Sequence, residues 1–150
     1  VSASGTGPGQ GDRAGDAVVR VAAAVIRRGD RVLVQARPEG SHYAGHYEFP
    51  GGKLEPGEDA RACCVRECAE ELDLRVEVTC VLDEVRWRYP ERHVHVTYLA
   101  CRPRRPADEP RPREGQTLLW ADAEALSRLR FLPANAGVLA RLDAELRDRR

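Results

Sequence analysis

The stretch that decides the fold runs from Gly52 to Leu74 and reads GKLEPGEDARACCVRECAEELDL. Toward its end stand three glutamates, Glu67, Glu70 and Glu71. Positions i, i+3 and i+4 share one face of a helix, so a helix here carries an acidic side. Val65, Cys68, Ala69 and Leu72 are expected on the opposite, apolar side. Like charges at this spacing destabilise a helix by roughly 0.2–0.5 kcal/mol per pair. They also sit toward the helix C-terminus, where the macrodipole disfavours negative charge. Something positive is therefore expected over that face, and Arg66 supplies part of it. A set of carboxylate oxygens suits a hard divalent cation such as Mg²⁺ or Mn²⁺. The plainer alternative is a solvated acidic helix face.

Upstream, Gly51, Gly52, Pro56 and Gly57 form a glycine-rich loop that leads into the helix, with Asp59 placed to cap it. Such a loop lets backbone approach a phosphate-bearing ligand. Carboxylates, a cation and a flexible loop are what diphosphate chemistry requires. At this point the pattern resembles the Nudix box, G-x5-E-x7-R-E-U-x-E-E-x-G-U with U aliphatic. Gly52, Glu58, Arg66, Glu67, Glu70 and Glu71 all fall at the required spacing. Cys68 and Leu74 take apolar positions, and Asp73 stands where the family has glycine.

A chain of 150 residues suits a single domain with one core. Its 24 basic and 24 acidic residues cancel, which leaves no electrostatic footprint for nucleic acid or a membrane surface. The longest apolar run, Val21 to Ile26, is too short to span a bilayer, and the polar, glycine-rich start shows no secretory signal. Five cysteines, at 63, 64, 68, 80 and 101, make no zinc-like pair of C-x2-C motifs. Their scatter suits reduced thiols and a cytoplasmic location, with Cys68 read as a small core residue.

Residues 1–16 are expected to be a disordered tail, and 17–150 the folded domain. Val18 to Arg27 and Val32 to Ala36 read as a hairpin turning at Gly29-Asp30. Tyr47 to Phe49 is a short extended piece, and Asp59 to Leu72 the acidic helix. Val76 to Arg86 and Val94 to Cys101 are strands joined by a turn over Tyr89 to Arg92. A proline- and charge-rich loop spans Arg102 to Glu114, before a last strand, Leu118 to Ala121. Ala123 to Arg130 and Ala136 to Arg147 are helices, the second with an apolar stripe of Val138, Leu139, Leu142 and Leu146.

The resemblance extends beyond the box to the MutT-type nucleoside triphosphate pyrophosphohydrolases. QARP at 35–38, YEFPGGKLEPGE at 47–58, YPERH at 89–93, REGQ at 113–116 and FLPAN at 131–135 carry it, over roughly residues 18–147. It implies the Nudix fold, an α/β/α sandwich around a mixed sheet. It matches Arg37, Phe49, Arg92 and Asn135 to residues that hold the nucleotide, and Glu114 to a further carboxylate near the metal. Each has another reading: Phe49 as core, Asn135 as a helix cap, Arg37 and Arg92 as surface arginines, Glu114 as a solvated loop residue. His42, His46, His93 and His95 read as structural or surface residues.

The resemblance further implies Mg²⁺-dependent attack of water on the β-phosphorus, giving monophosphate and pyrophosphate. Glu67, Glu70 and Glu71 would hold the metal together with the Gly51 carbonyl. Glu67 leads as general base, with Glu114 as its competitor. Arg66 would orient the glutamates, and Gly51, Gly52 and Lys53 would line the phosphate side. The expected partner is a nucleotide, and the expected state a monomer, with a dimer as alternative. For the base, the Asn135 amide offers a donor and an acceptor. The Hoogsteen edge of 8-oxoguanine complements both, whereas ordinary guanine mismatches one. Cytosine also shows one of each, so a cytosine nucleotide is the alternative, and a non-catalytic binding domain is the alternative of another class.

Overall fold

The computed structural model describes residues 17–149; the disordered tail expected over residues 1–16 lies outside them. Along the chain run β1 (Val18–Arg28), β2 (Arg31–Ala36), β3 (Tyr47–Glu48), β4 (Gly51–Lys53), α1 (Ala60–Leu72), β5 (Val76–Arg88), β6 (His93–Pro103), β7 (Leu118–Ala121), α2 (Ala123–Arg128), a 3₁₀ turn (Pro133–Asn135) and α3 (Ala136–Arg147).

The run Val21 to Ile26 is apolar on both sides because β1 lies at the centre of a sheet covered on both faces. Ala22, Ala24 and Ile26 pack with α1, while Ala23 and Val25 pack with α2 and α3. β1 turns into antiparallel β2 with Arg28 opposite Arg31, and Gly29 supplies the positive φ of 62° that this turn requires. On its other side β1 pairs in parallel with β6, from Val18–His93 to Ile26–Cys101. The sheet path is β3-β2-β1-β6-β5, with β4 added to β1 and β7 to β2. A mixed sheet between one helix and two is the α/β/α sandwich that the sequence led us to expect. No helix among the described residues is long and apolar enough to cross a membrane.

Helix α1 starts where the Asp59 carboxylate accepts the Ala62 N–H at 2.8 Å. It ends at Asp73, which adopts the left-handed region (φ 50°, ψ 36°) in place of the family glycine. Asp73 N–H and Leu74 N–H close the end on the carbonyls of Ala69 and Cys68. The apolar side differs from expectation. Cys63, Cys64, Cys68 and Leu72 are buried, whereas Val65 and Ala69 are exposed. Cys64, Cys68 and Leu72 follow the i, i+4 row that faces the sheet, and Val65 lies a residue beyond that row. Glu67 and Glu71 border the buried stripe rather than oppose it. Sulfur dominates this contact: Cys64 Sγ lies 3.4 Å from Cys101 Sγ of β6. All five cysteines are free thiols, and Cys80 alone is exposed.

Several boundaries differ from expectation. Gly51–Lys53, read as loop, is a strand paired antiparallel to β1. Strands β5 and β6 run on to Arg88 and Pro103, and α2 stops at Arg128 instead of Arg130. The long β5–β6 ladder tolerates two register irregularities, between Val78 and Cys80 and between Val81 and Asp83. In α3, Val138, Leu142 and Leu146 are buried as the stripe required, and Leu139 is partly so.

Candidate active site

Arg66 is the hub of the acidic helix. Its Nε and Nη2 donate to the two oxygens of Glu58, each at 2.8 Å. Its Nη1 reaches Glu67 at 3.0 Å and Glu70 at 3.1 Å, and Nη2 also donates to the Lys53 carbonyl at 3.2 Å. The Arg66 hydrogen bonds hold the Glu58 carboxyl down at about 2, and Glu58 in turn holds the guanidinium above its ordinary value. One cation thus ties α1 to the end of β4 and fixes the direction of Glu67.

Glu71 is outside that network. Burial, its hydrogen bond with Glu67, and the charges of Glu67 and Glu114 push its carboxyl up to about 8. Its Oε2 is buried with no hydrogen-bond partner, and the Gly51 N–H is the backbone group beside the carboxyl. An orphaned carboxylate oxygen beside a second carboxylate fits a hard divalent cation. Among the described residues no three acidic, histidine or cysteine side chains already form a metal centre. Glu70 points outward, 60% exposed and paired to Arg66.

Gly51 and Gly52 earn their places by closeness, not by looping. A Cβ on Gly52 would lie 2.4 Å from the Glu67 carboxyl. On Gly51 it would meet the Ala22 carbonyl oxygen at 2.0 Å. Lys53 is exposed, and the structure involves it through its carbonyl oxygen.

The loop carrying Glu114 is pinned to the end of α1. Arg111 N–H donates to the Leu72 carbonyl at 2.7 Å and Arg113 N–H to the Glu71 carbonyl at 2.9 Å. Gln116 completes the attachment. Its Nε2 donates to the Glu71 carbonyl at 3.2 Å, and its Oε1 accepts the Glu114 N–H at 3.0 Å. This role of Gln116 is not visible in the sequence, because an amide that bridges two chain segments leaves no local signal.

The proposed nucleotide residues divide into two groups. Phe49, Arg92 and Asn135 line one cavity of about 90 Å³ with Tyr89, Tyr98 and Leu132. Ala23, the register partner of Gly51, also lines it, so the cavity begins next to β4. Phe49 stacks on Phe131 and meets Tyr98 edge-on. Arg92 Nε is buried without a partner. Asn135 begins α3 but makes no capping hydrogen bond with its side chain. Arg37 stands outside the lining, with Nη1 on Glu48 at 2.8 Å and Nε on the His42 carbonyl at 2.8 Å.

Comparison with known proteins bears on the family and the fold. Residues 17–142 match the NUDIX domain. The 8-oxo-dGTP diphosphatase of Escherichia coli (strain K12) is 30% identical over 125 residues, 83% of this chain and 95% of that protein. The CTP pyrophosphohydrolase of the same organism is 44% identical over 61 residues, 41% of this chain and 45% of that protein. The solution structure of the Escherichia coli ORF135 protein superposes with a TM-score of 0.72 at 30% identity, covering 93% of this chain and 98% of the other. With the acidic helix, its arginine hub and the mixed sheet in place, the chain belongs to the NUDIX domain family.

Proposed function

We propose that this chain is a nucleoside triphosphate pyrophosphohydrolase that releases monophosphate and pyrophosphate and removes oxidised nucleotides, 8-oxo-dGTP foremost. Similarity to an 8-oxo-dGTP diphosphatase along 83% of the chain supports it. The single structural observation that carries it is the buried, unpartnered Glu71 Oε2 beside Glu67. Hydrolases of this family use a divalent cation; we take Mg²⁺ as the ion, with Mn²⁺ able to replace it. When bound, it would screen the phosphate charge, polarise phosphorus and acidify a water. Glu67, Glu70 and Glu71, with the Gly51 carbonyl, are the groups to hold it. Arg66 keeps Glu67 aimed while neutralising Glu58. The proton of the attacking water passes to Glu67 or Glu114, the two candidate bases. Gly51, Gly52 and Lys53 face the phosphates. Phe49, Arg92 and Asn135 take the base and Arg37 the outer part of the nucleotide.

A cytosine nucleotide is the second reading, favoured by the 44% identity to a CTP pyrophosphohydrolase over 61 residues. The protein is taken to act as a cytoplasmic monomer without nucleic acid or membrane partners, in line with its zero net charge and free thiols. Pyrophosphate release from 8-oxo-dGTP, dGTP, CTP and 5-methyl-dCTP with Mg²⁺ tests the proposal. It predicts strict cation dependence and a preference for 8-oxo-dGTP. Undiminished turnover in excess EDTA, or none on any nucleotide, would overturn it; a preference for cytosine would select the second reading.

A further inference from the structure

The 3₁₀ turn that carries Asn135 is held by two tyrosines from the β5–β6 hairpin. Tyr89 OH accepts the Ala134 N–H at 3.3 Å. Tyr98 OH donates to Asn135 Oδ1 at 2.9 Å. From the other side Asn135 Nδ2 donates to the Leu132 carbonyl oxygen at 3.0 Å. Tyr98 is 1% exposed, Asn135 and Leu132 7% each, so water does not compete for these bonds.

Together these contacts fix which end of the amide is which. A carbonyl oxygen only accepts, so the Leu132 carbonyl requires nitrogen on its side. Turning the amide over would set Oδ1 against that carbonyl and lose both bonds as they stand. The Tyr98 hydroxyl must then give its proton to Oδ1. Burial holds that phenol above its ordinary range, so the proton stays in place at neutral pH. A primary amide has two N–H groups and two acceptor sites. With one of each engaged, Asn135 keeps one N–H and one lone pair for a ligand in the cavity.

We propose that Tyr98 is a specificity-determining positioning residue: by donating to Asn135 Oδ1 it sets the orientation of the amide and what that amide can offer a nucleobase. The inference rests on Asn135 being the residue that faces the base. The held amide suits a base edge with one acceptor and one donor, and disfavours an edge with two acceptors. Without the phenol, only the Leu132 carbonyl orients the amide, and its alternative orientation becomes more accessible. One neutral hydrogen bond is worth about a two- to tenfold change in an equilibrium.

The test measures binding of 8-oxo-dGMP, dGMP and dCMP by calorimetry to the unchanged chain, Tyr98→Phe, Asn135→Ala and the double variant, below the melting temperature of each. These monophosphates carry the base without the triphosphate, so base selection is read apart from turnover. Tyr98→Phe should reduce the ratio of best to worst affinity about three- to tenfold, by weakening the best ligand while the worst moves less than about twofold. In the Asn135→Ala background, Tyr98→Phe should leave the ratio unchanged, because Tyr98 acts through Asn135. Equal losses for all three ligands, a ratio that Tyr98→Phe leaves intact, or a full further effect in the double variant would overturn the proposal. No discrimination by the unchanged chain would do the same. Hydrolysis of the matching triphosphates, run alongside, separates the two readings: selective binding without pyrophosphate release counts against the catalytic assignment alone.

Discussion

Gly52 has no side chain because the Glu67 carboxyl occupies the space one would fill, and Gly51 has none because the backbone of β1 does. These neighbours yield differently. A glutamate side chain can swing aside, whereas the Ala22 carbonyl is fixed in the sheet. Gly51→Ala should therefore lose stability, about 2 kcal/mol or more from overpacking together with a φ of 156° that suits only glycine. Gly52→Ala should unfold within about 1 kcal/mol of the parent chain and yet lose at least about tenfold in kcat, because Glu67 is displaced. Urea denaturation and steady-state kinetics of the two variants check this; a reversed pattern would place Glu67 outside the chemistry. Glu67, Glu70, Glu71 and Arg66 were legible as a charged cluster because their charge and spacing are local. The reason for the two glycines was not. It depends on β1 and α1 meeting at β4, and a double glycine in sequence reads as a loop. The Tyr98–Asn135 bond, spanning 37 residues, is invisible in sequence for the same reason.

At the scale of elements, periodicity and caps served well. Helices α1 and α3, the β1–β2 hairpin and β7 fall where their patterns put them. Val65 did not, because a valine in an amphipathic run looks like core until the exact row facing the sheet is known. Strand β4, three residues long, has no period to read. The loop after β6 was legible by composition as irregular, but its attachment to α1 was not. That attachment makes a prediction. Gln116 joins the Glu114 backbone to the Glu71 carbonyl, both ends at hydrogen-bond distance. Gln116→Ala should raise the Mg²⁺ concentration for half-maximal activity by about three- to tenfold, as one or two neutral hydrogen bonds allow. The KM for nucleotide at saturating Mg²⁺ should change little. A Mg²⁺ titration of activity, paired with Mn²⁺ binding by electron paramagnetic resonance, measures it. Unchanged metal dependence would make Gln116 a loop anchor without influence on the site.

For the whole molecule, a mixed sheet with helices on both faces was implied by resemblance, and the doubly buried run Val21 to Ile26 is its physical trace; the parallel pairing of β1 with β6 is seen only in the structure. Folding in turn concentrates negative charge at one place, which gives stability a pH dependence. The Glu71 carboxyl rises from 4.5 to about 8 on folding, chiefly through burial. The folded state therefore binds this proton more tightly than the unfolded state. That contribution is complete below about pH 4.5 and is lost as pH rises toward 8. In EDTA, the melting temperature should fall between pH 5 and about 8, and Glu71→Gln should flatten the fall. Adding Mg²⁺ at the alkaline end should restore it by mass action. Calorimetric melts across that range decide the matter; a rise with pH that Glu71→Gln abolishes would reverse the assignment.

The sulfur contact between α1 and the sheet bears on how long the protein survives. Oxidised nucleotides accumulate where oxidants do, so under the proposed function the protein must endure the agent that makes its substrates. Four of its five thiols are sealed beneath the helix that carries the glutamates, and only Cys80 opens to solvent. Mild peroxide should therefore mark Cys80 first, as a reversible sulfenic acid, and leave turnover intact. Peptide mass spectrometry read against residual activity would follow this. Activity lost in step with oxidation of Cys64 or Cys101 would mean that the helix lifts from the sheet often enough to admit peroxide. The durability of the molecule is then the frequency of that opening, a kinetic property set by packing far from any substrate.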